Sequence, residues 1–229
     1  MKQFLLSLKD FSKSVGGLVV VLILALWQID IFNIFGLGFN LFTVGIWLSV
    51  VAMTFTIFWA QYKGKPLISH FILFTLYIGA LSAFINSLFS SSPINAFTPE
   101  TIVNLLAMLY TLFVSVSFVL YEKPKPTKLS FKDSLPLLAF VLVSYLAFGY
   151  TTTIIYSLVL LLILFFGTKI IALLYALSNL VFPIINLIDD LTANISGITL
   201  NEWFHALLIV GVTAYLSYEL VLSFKKGQS

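Results

Sequence analysis

The sequence predicts an all-α polytopic membrane protein with eight transmembrane helices. Three observations predict it. The 229 residues are 60% apolar and 9% charged, with mean hydropathy +1.08, whereas a soluble domain carries about 25% charged residues. The apolar residues gather in runs long enough to cross a bilayer. The twelve basic residues are all lysines, and they collect on one side once those runs are threaded back and forth. This composition leaves no room for a separate soluble catalytic domain. With no cysteine, disulfides and thiolate chemistry are excluded as well.

At the N-terminus, Phe4, Leu5, Leu8 and Phe11 recur at helical spacing opposite Lys2, Lys9, Asp10 and Lys13. This is the pattern of a short helix lying in the membrane interface. The first span is expected over residues 17 to 37. A lysine-rich start before an apolar run resembles a secretory signal, but no small-x-small cleavage pattern follows, and Trp27, Gln28 and Asp30 continue the segment. Further spans are expected at 41 to 61, 67 to 89 and 102 to 121. Residues 122 to 134 are the only long polar segment inside the chain and carry two prolines that oppose helix continuation. They are expected to form a cytoplasmic linker between a first four-helix half, 1 to 121, and a second, 135 to 229.

Residues 135 to 168 are too long for one span and are interrupted near Gly149 to Thr153 by Gly-Tyr-Thr-Thr-Thr. Division into 135 to 149 and 153 to 168 gives two spans of only about 23 Å each, short of the roughly 30 Å hydrocarbon core, so burial by neighbours or local thinning must accommodate them. The last spans are expected at 170 to 188 and 203 to 223. Threaded this way, every lysine lies on one side, and Glu100, Asp189, Asp190 and Glu202 lie on the other. Positive residues mark the cytoplasmic side, so the expected location is the cell membrane with both termini cytoplasmic.

An offset of 102 residues aligns Glu100 with Glu202, Leu105 with Leu207, Leu106 with Leu208, Thr111 with Thr213 and Ser115 with Ser217. It also aligns Val119 with Val221, Leu120 with Leu222 and Lys123 with Lys225. An internal repeat of two parallel four-helix halves accounts for this match. Small residues mark packing faces: Gly45, Ser49, Ala52 and Thr56 in span 2, Gly79 and Ala83 in span 3, and Gly211, Ala214 and Ser217 in span 8.

Polar groups inside the bilayer are the functional candidates, because an aspartate near a helix centre costs at least about 2.5 kcal/mol on insertion scales. Asp30 is the one acid this topology places deep in the membrane, and Asn33 lies one turn further on the same face. Asn86 and Asn186 fall at depths similar to Asn33. Asn179 lies near the middle of span 7, and Pro183 frees the backbone carbonyl of Asn179 by removing its helical donor. Together Asp30, Asn33, Asn86, Asn179 and Asn186 form an expected oxygen-rich ligand or ion site in the outer half of the bilayer. Glu219 is expected near the cytoplasmic end of span 8, where Lys225 or Lys226 can neutralise it. The topology places His70 and His205 near opposite ends of their spans, which disfavours a shared haem.

Zinc-helix, nucleophile-elbow and phosphate-loop signatures are absent from the sequence. No catalytic residue, metal or cofactor is expected. The function these features favour is a small-solute or ion transporter or channel. Two alternatives stay open: a non-catalytic structural or assembly subunit of a larger membrane complex, and a membrane redox subunit. The expected partners are the lipid bilayer and either a second copy of the chain or a larger membrane complex, with no role for nucleic acid.

Overall fold

The computed structural model describes residues 2–14, 19, 40–76, 99–123, 131–193 and 199–226. Among them the chain is helical, with no strand. The helices are α1 (Lys2–Lys13), α2 (Leu41–Tyr62), α3 (Pro66–Leu76), α4 (Pro99–Glu122), α5 (Phe131–Phe166), α6 (Lys169–Ala193) and α7 (Leu200–Lys225). Segments Leu41–Tyr62, Leu105–Glu122, Lys169–Thr192 and Leu200–Lys225 are each long and apolar enough to cross a membrane. Two shorter apolar segments, Ser134–Ala147 and Thr153–Phe166, make up most of α5. The expected first span, 17 to 37, and the expected third span beyond Leu76 lie outside the described residues.

Helix ends follow local chemistry. Asn40 caps α2: its Oδ1 accepts from the Thr43 N–H at 2.8 Å, and the Thr43 hydroxyl oxygen accepts from the Asn40 N–H at 3.1 Å. Thr199 and Glu202 make the same reciprocal box at α7, where the Glu202 carboxylate accepts from the Thr199 N–H at 2.7 Å. α3 and α4 both begin on proline, which has no N–H to leave unsatisfied in a first turn. Gly64, between α2 and α3, takes φ +68, a left-handed conformation that glycine reaches at no steric cost.

The interruption expected over Gly149 to Thr153 is confined to one residue. Gly149 adopts φ 73, ψ −177, which breaks the helix into two arms. The Thr153 hydroxyl donates to the Gly149 carbonyl at 2.8 Å, so the second arm starts at once and no loop forms.

The described residues divide into two compact units. One holds α1, α3 and α4, and the other holds α2 with α5, α6 and α7. In the second unit, Phe42 packs edge-on against Phe182, Gly45 lies against Phe182 and Ile185, and Met53 meets Ser178, so α2 and α6 run antiparallel. A methyl group added at Gly45 would sit 3.1 Å from Ile185 Cγ2, which shows how closely the small-residue face of α2 lets α6 approach. On α7 the expected packing face is open instead: Gly211, Ala214 and Ser217 are exposed.

The helices are apolar on their surfaces as well as in their cores, where Ile57, Ile72, Phe140 and Ile163 are fully buried. Leu48, Val51 and Phe55 of α2, Leu106 and Leu120 of α4, and Leu207, Val210 and Val221 of α7 are exposed, while Thr56, Thr111, Ser115, Ser117, Ser144 and Ser178 are buried. Of these, Thr56, Thr111, Ser115, Ser117 and Ser178 are held by their own helix, as where Ser115 donates to the Thr111 carbonyl at 2.8 Å. Apolar surface outside and small polar groups inside suit a hydrocarbon solvent. Among the pairs aligned by the 102-residue offset, Ser115 is buried whereas Ser217 is exposed.

Candidate functional site

Of the expected site residues, Asp30, Asn33 and Asn86 lie outside the described residues. Asn179 and Asn186 both lie on α6, seven positions apart and therefore on one face. Asn179 is buried and Asn186 half-buried. Ten residues separate Asn179 from the start of α6 at Lys169, which is about 15 Å along the helix and near the middle of a roughly 30 Å core.

The surroundings of Asn179 are polar within an apolar helix. Its side-chain amide donates to the Tyr175 carbonyl at 2.8 Å, and the Ser178 hydroxyl donates to the same carbonyl at 2.8 Å. The Ser178 oxygen also lies 3.6 Å from Met53 Sδ on α2. Pro183 sits inside α6 and has no N–H, so the Asn179 carbonyl loses its usual helical donor. Tyr175 is 1% exposed, and its ring meets that of Tyr156 on α5 edge-on, with centroids 6.4 Å apart. Among the described residues the buried Tyr175 hydroxyl finds no hydrogen-bond partner of good geometry. The middle of α6 thus offers a carbonyl oxygen without its usual helical donor and a phenolic hydroxyl, a set suited to a small polar solute or a hard cation. Tyr156, Tyr175 and Ser178 carry no signal in the sequence that separates them from packing residues.

The partner of Glu219 differs from expectation. Lys169, the first residue of α6, donates to Glu219 at 3.0 Å, and the two side chains are 13% and 20% exposed. Lys225 lies six positions from Glu219, off its face, and Lys226 lies seven positions away, beyond the three or four residues over which helix neighbours meet. At the same end, Trp59 of α2 packs edge-on against Phe224 of α7 at 5.5 Å. Lys63, Lys169, Lys225 and Lys226 therefore share one end of this unit, and Asp189, Asp190 and Glu202 lie towards the other. Helix packing here reproduces the charge sorting expected from the spans.

In the other unit, Lys9 and Lys13 of α1 both pair with Glu122 at the end of α4, at 3.3 Å and 2.5 Å. His70 of α3 is fully buried, with Nδ1 2.9 Å from the Pro66 carbonyl. That carbonyl can only accept, so Nδ1 carries the proton and Nε2 presents its lone pair. Among the described residues Nε2 has no hydrogen-bond partner, nor does the hydroxyl of Tyr110, whose ring lies 6.1 Å away. No group of three or more histidines and acids able to hold a metal occurs among the described residues. Comparison with protein families, with characterised proteins and with solved structures finds no match.

Proposed function

We propose that the chain is an eight-span membrane protein that passes a small polar solute or an ion, with both termini and the lysine-bearing helix ends on the cytoplasmic side. The observation that carries this function is the polar interior of α6: Tyr175, Ser178 and Asn179 are buried, and Pro183 withholds a donor from the Asn179 carbonyl at mid-helix. A helix that served only as a packing element would gain from an ordinary residue at position 183 and from apolar side chains at 178 and 179. A broken backbone ladder within an apolar span is tolerated where it faces protein or a wet path, and there it supplies oxygen ligands. Asp30, Asn33, Asn86 and Asn186 are the further residues assigned to the path. Asp30 supplies its negative charge.

The test is flux through the purified full chain in vesicles. Potassium, sodium and proton movement are followed with entrapped dyes, and osmotic swelling reports neutral solutes. The proposal expects transport of at least one probe above empty vesicles. Pro183→Ala, which returns a donor to the Asn179 carbonyl, should reduce that transport without unfolding the protein. Flux equal to empty vesicles for every probe would refute it and favour a subunit role.

A further inference from the structure

The lysine-bearing end of the second unit carries more than a topology signal. Lys63 follows α2, while Lys225 ends α7 and Lys226 follows it. Lys169 is neutralised by Glu219, but no carboxylate pairs with Lys63, Lys225 or Lys226 among the described residues. Lys63 lies over an aromatic shelf, and Lys225 and Lys226 directly follow Phe224, the residue of α7 that packs on it. The Lys63 ammonium lies 5.2 Å from the Trp59 ring centre and 5.7 Å from that of Tyr62, Trp59 abuts Phe224, and Tyr62 is 78% exposed.

We propose that this end seats the headgroup of an anionic phospholipid, with Lys63, Lys225 and Lys226 neutralising the phosphate and the exposed rings of Tyr62 and Phe224 against its glycerol and acyl chains. A lipid is the occupant rather than a soluble anion because the site lies at the ends of two helices of spanning length, beside exposed aromatic and aliphatic surface. Aromatic rings with lysines at such ends mark the membrane interface, where anionic headgroups are concentrated. The opposite end, with Asp189, Asp190 and Glu202, should repel the same headgroup. This proposal is independent of transport.

The test is native mass spectrometry of the full chain in detergent, titrated with phosphatidylglycerol or phosphatidylcholine. Wild type should retain one phosphatidylglycerol in preference to phosphatidylcholine, and raised salt should weaken that retention. Each lysine-to-glutamine change should weaken it about fivefold, and the triple change Lys63→Gln, Lys225→Gln, Lys226→Gln by about a hundredfold. Tyr62→Ala, which removes the 78% exposed ring beside Lys63, should weaken it without altering charge. Should the triple variant fail to fold, the single Lys226→Gln variant and the salt series carry the test. Equal retention of both lipids, or retention indifferent to salt and to Lys226→Gln, would overturn the proposal and leave the lysines as charges that offset helix C-termini. Displacement of the lipid by millimolar inorganic phosphate would overturn the choice of a lipid over a free anion.

Discussion

The Lys169–Glu219 pair gives the sharpest quantitative test of the packing between α6 and α7. The two charges lie 3.0 Å apart, with side chains 13% and 20% exposed, between the limits of a surface pair, worth about 0–1 kcal/mol, and a fully buried one, whose breaking costs about 3–5 kcal/mol. Lys169→Met leaves the Glu219 carboxylate without its counterion in largely apolar surroundings, and should cost about 2–3 kcal/mol. Glu219→Leu leaves a lysine whose long stem at the first turn of α6 can carry its ammonium to water, and should cost about 1 kcal/mol. The double variant removes both charges together and should recover to within about 1 kcal/mol of wild type, because an apolar pair of similar volume replaces the ion pair. Thermal unfolding in one detergent reads the cycle directly. At roughly 2–4 °C per kcal/mol for a chain of this size, Lys169→Met should unfold some 4–12 °C lower. If the double variant is as unstable as the two single changes summed, the side chains do not interact and the antiparallel register of α6 and α7 is wrong.

Three further predictions concern backbone and packing. Gly149→Ala should destabilise by about 1–3 kcal/mol by thermal unfolding, although no neighbour lies within 4 Å of the added methyl, because φ 73 with ψ −177 is open only to glycine. Wild-type stability would show that the break is not formed. Gly167→Ala should unfold the α5–α6 junction more severely, since its methyl would sit 2.6 Å from the Ile163 carbonyl oxygen, which the Gly167 N–H already approaches at 2.7 Å; circular dichroism and melting compared with Gly211→Ala, where nothing lies within 4 Å, separate this from a generic glycine effect. Gly45→Leu should part α2 from α6, where even a methyl meets Ile185 Cγ2 at 3.1 Å, and should lower the melting temperature by several degrees, roughly 1–3 kcal/mol of overpacking; an unchanged melt would place this face elsewhere.

The four helices of spanning length were legible because hydropathy is a sum over many residues, and no single side chain decides it. The sorting of lysines was legible for the same reason, and α2, α6 and α7 gather Lys63, Lys169, Lys225 and Lys226 at one end. The site was legible only where a residue breaks a rule visible in one dimension. Asn179 stands out as an amide in an apolar run, and Pro183 as a missing donor. Tyr175 and Tyr156 do not, since an aromatic residue in a span reads as packing until a neighbouring helix leaves its hydroxyl buried. The partner of Glu219 is hidden from the sequence because nearness along the chain points to Lys225, yet six residues along a helix turns a side chain to another face, whereas Lys169 arrives from α6. The joining of α2 to α5, α6 and α7 in one unit depends on pairings such as Gly45 with Ile185 and Met53 with Ser178, and contacts this far apart in the chain leave no local trace.

The most direct test of the central claim is transport by the purified full chain in vesicles, measured for wild type, Pro183→Ala and Asp30→Asn. Flux above empty vesicles is expected in the wild type, with a reduction when Pro183→Ala gives the Asn179 carbonyl a donor, and loss of coupled flux in Asp30→Asn with folding intact. Wild-type flux equal to empty vesicles, or flux that both variants leave unchanged, would contradict that claim.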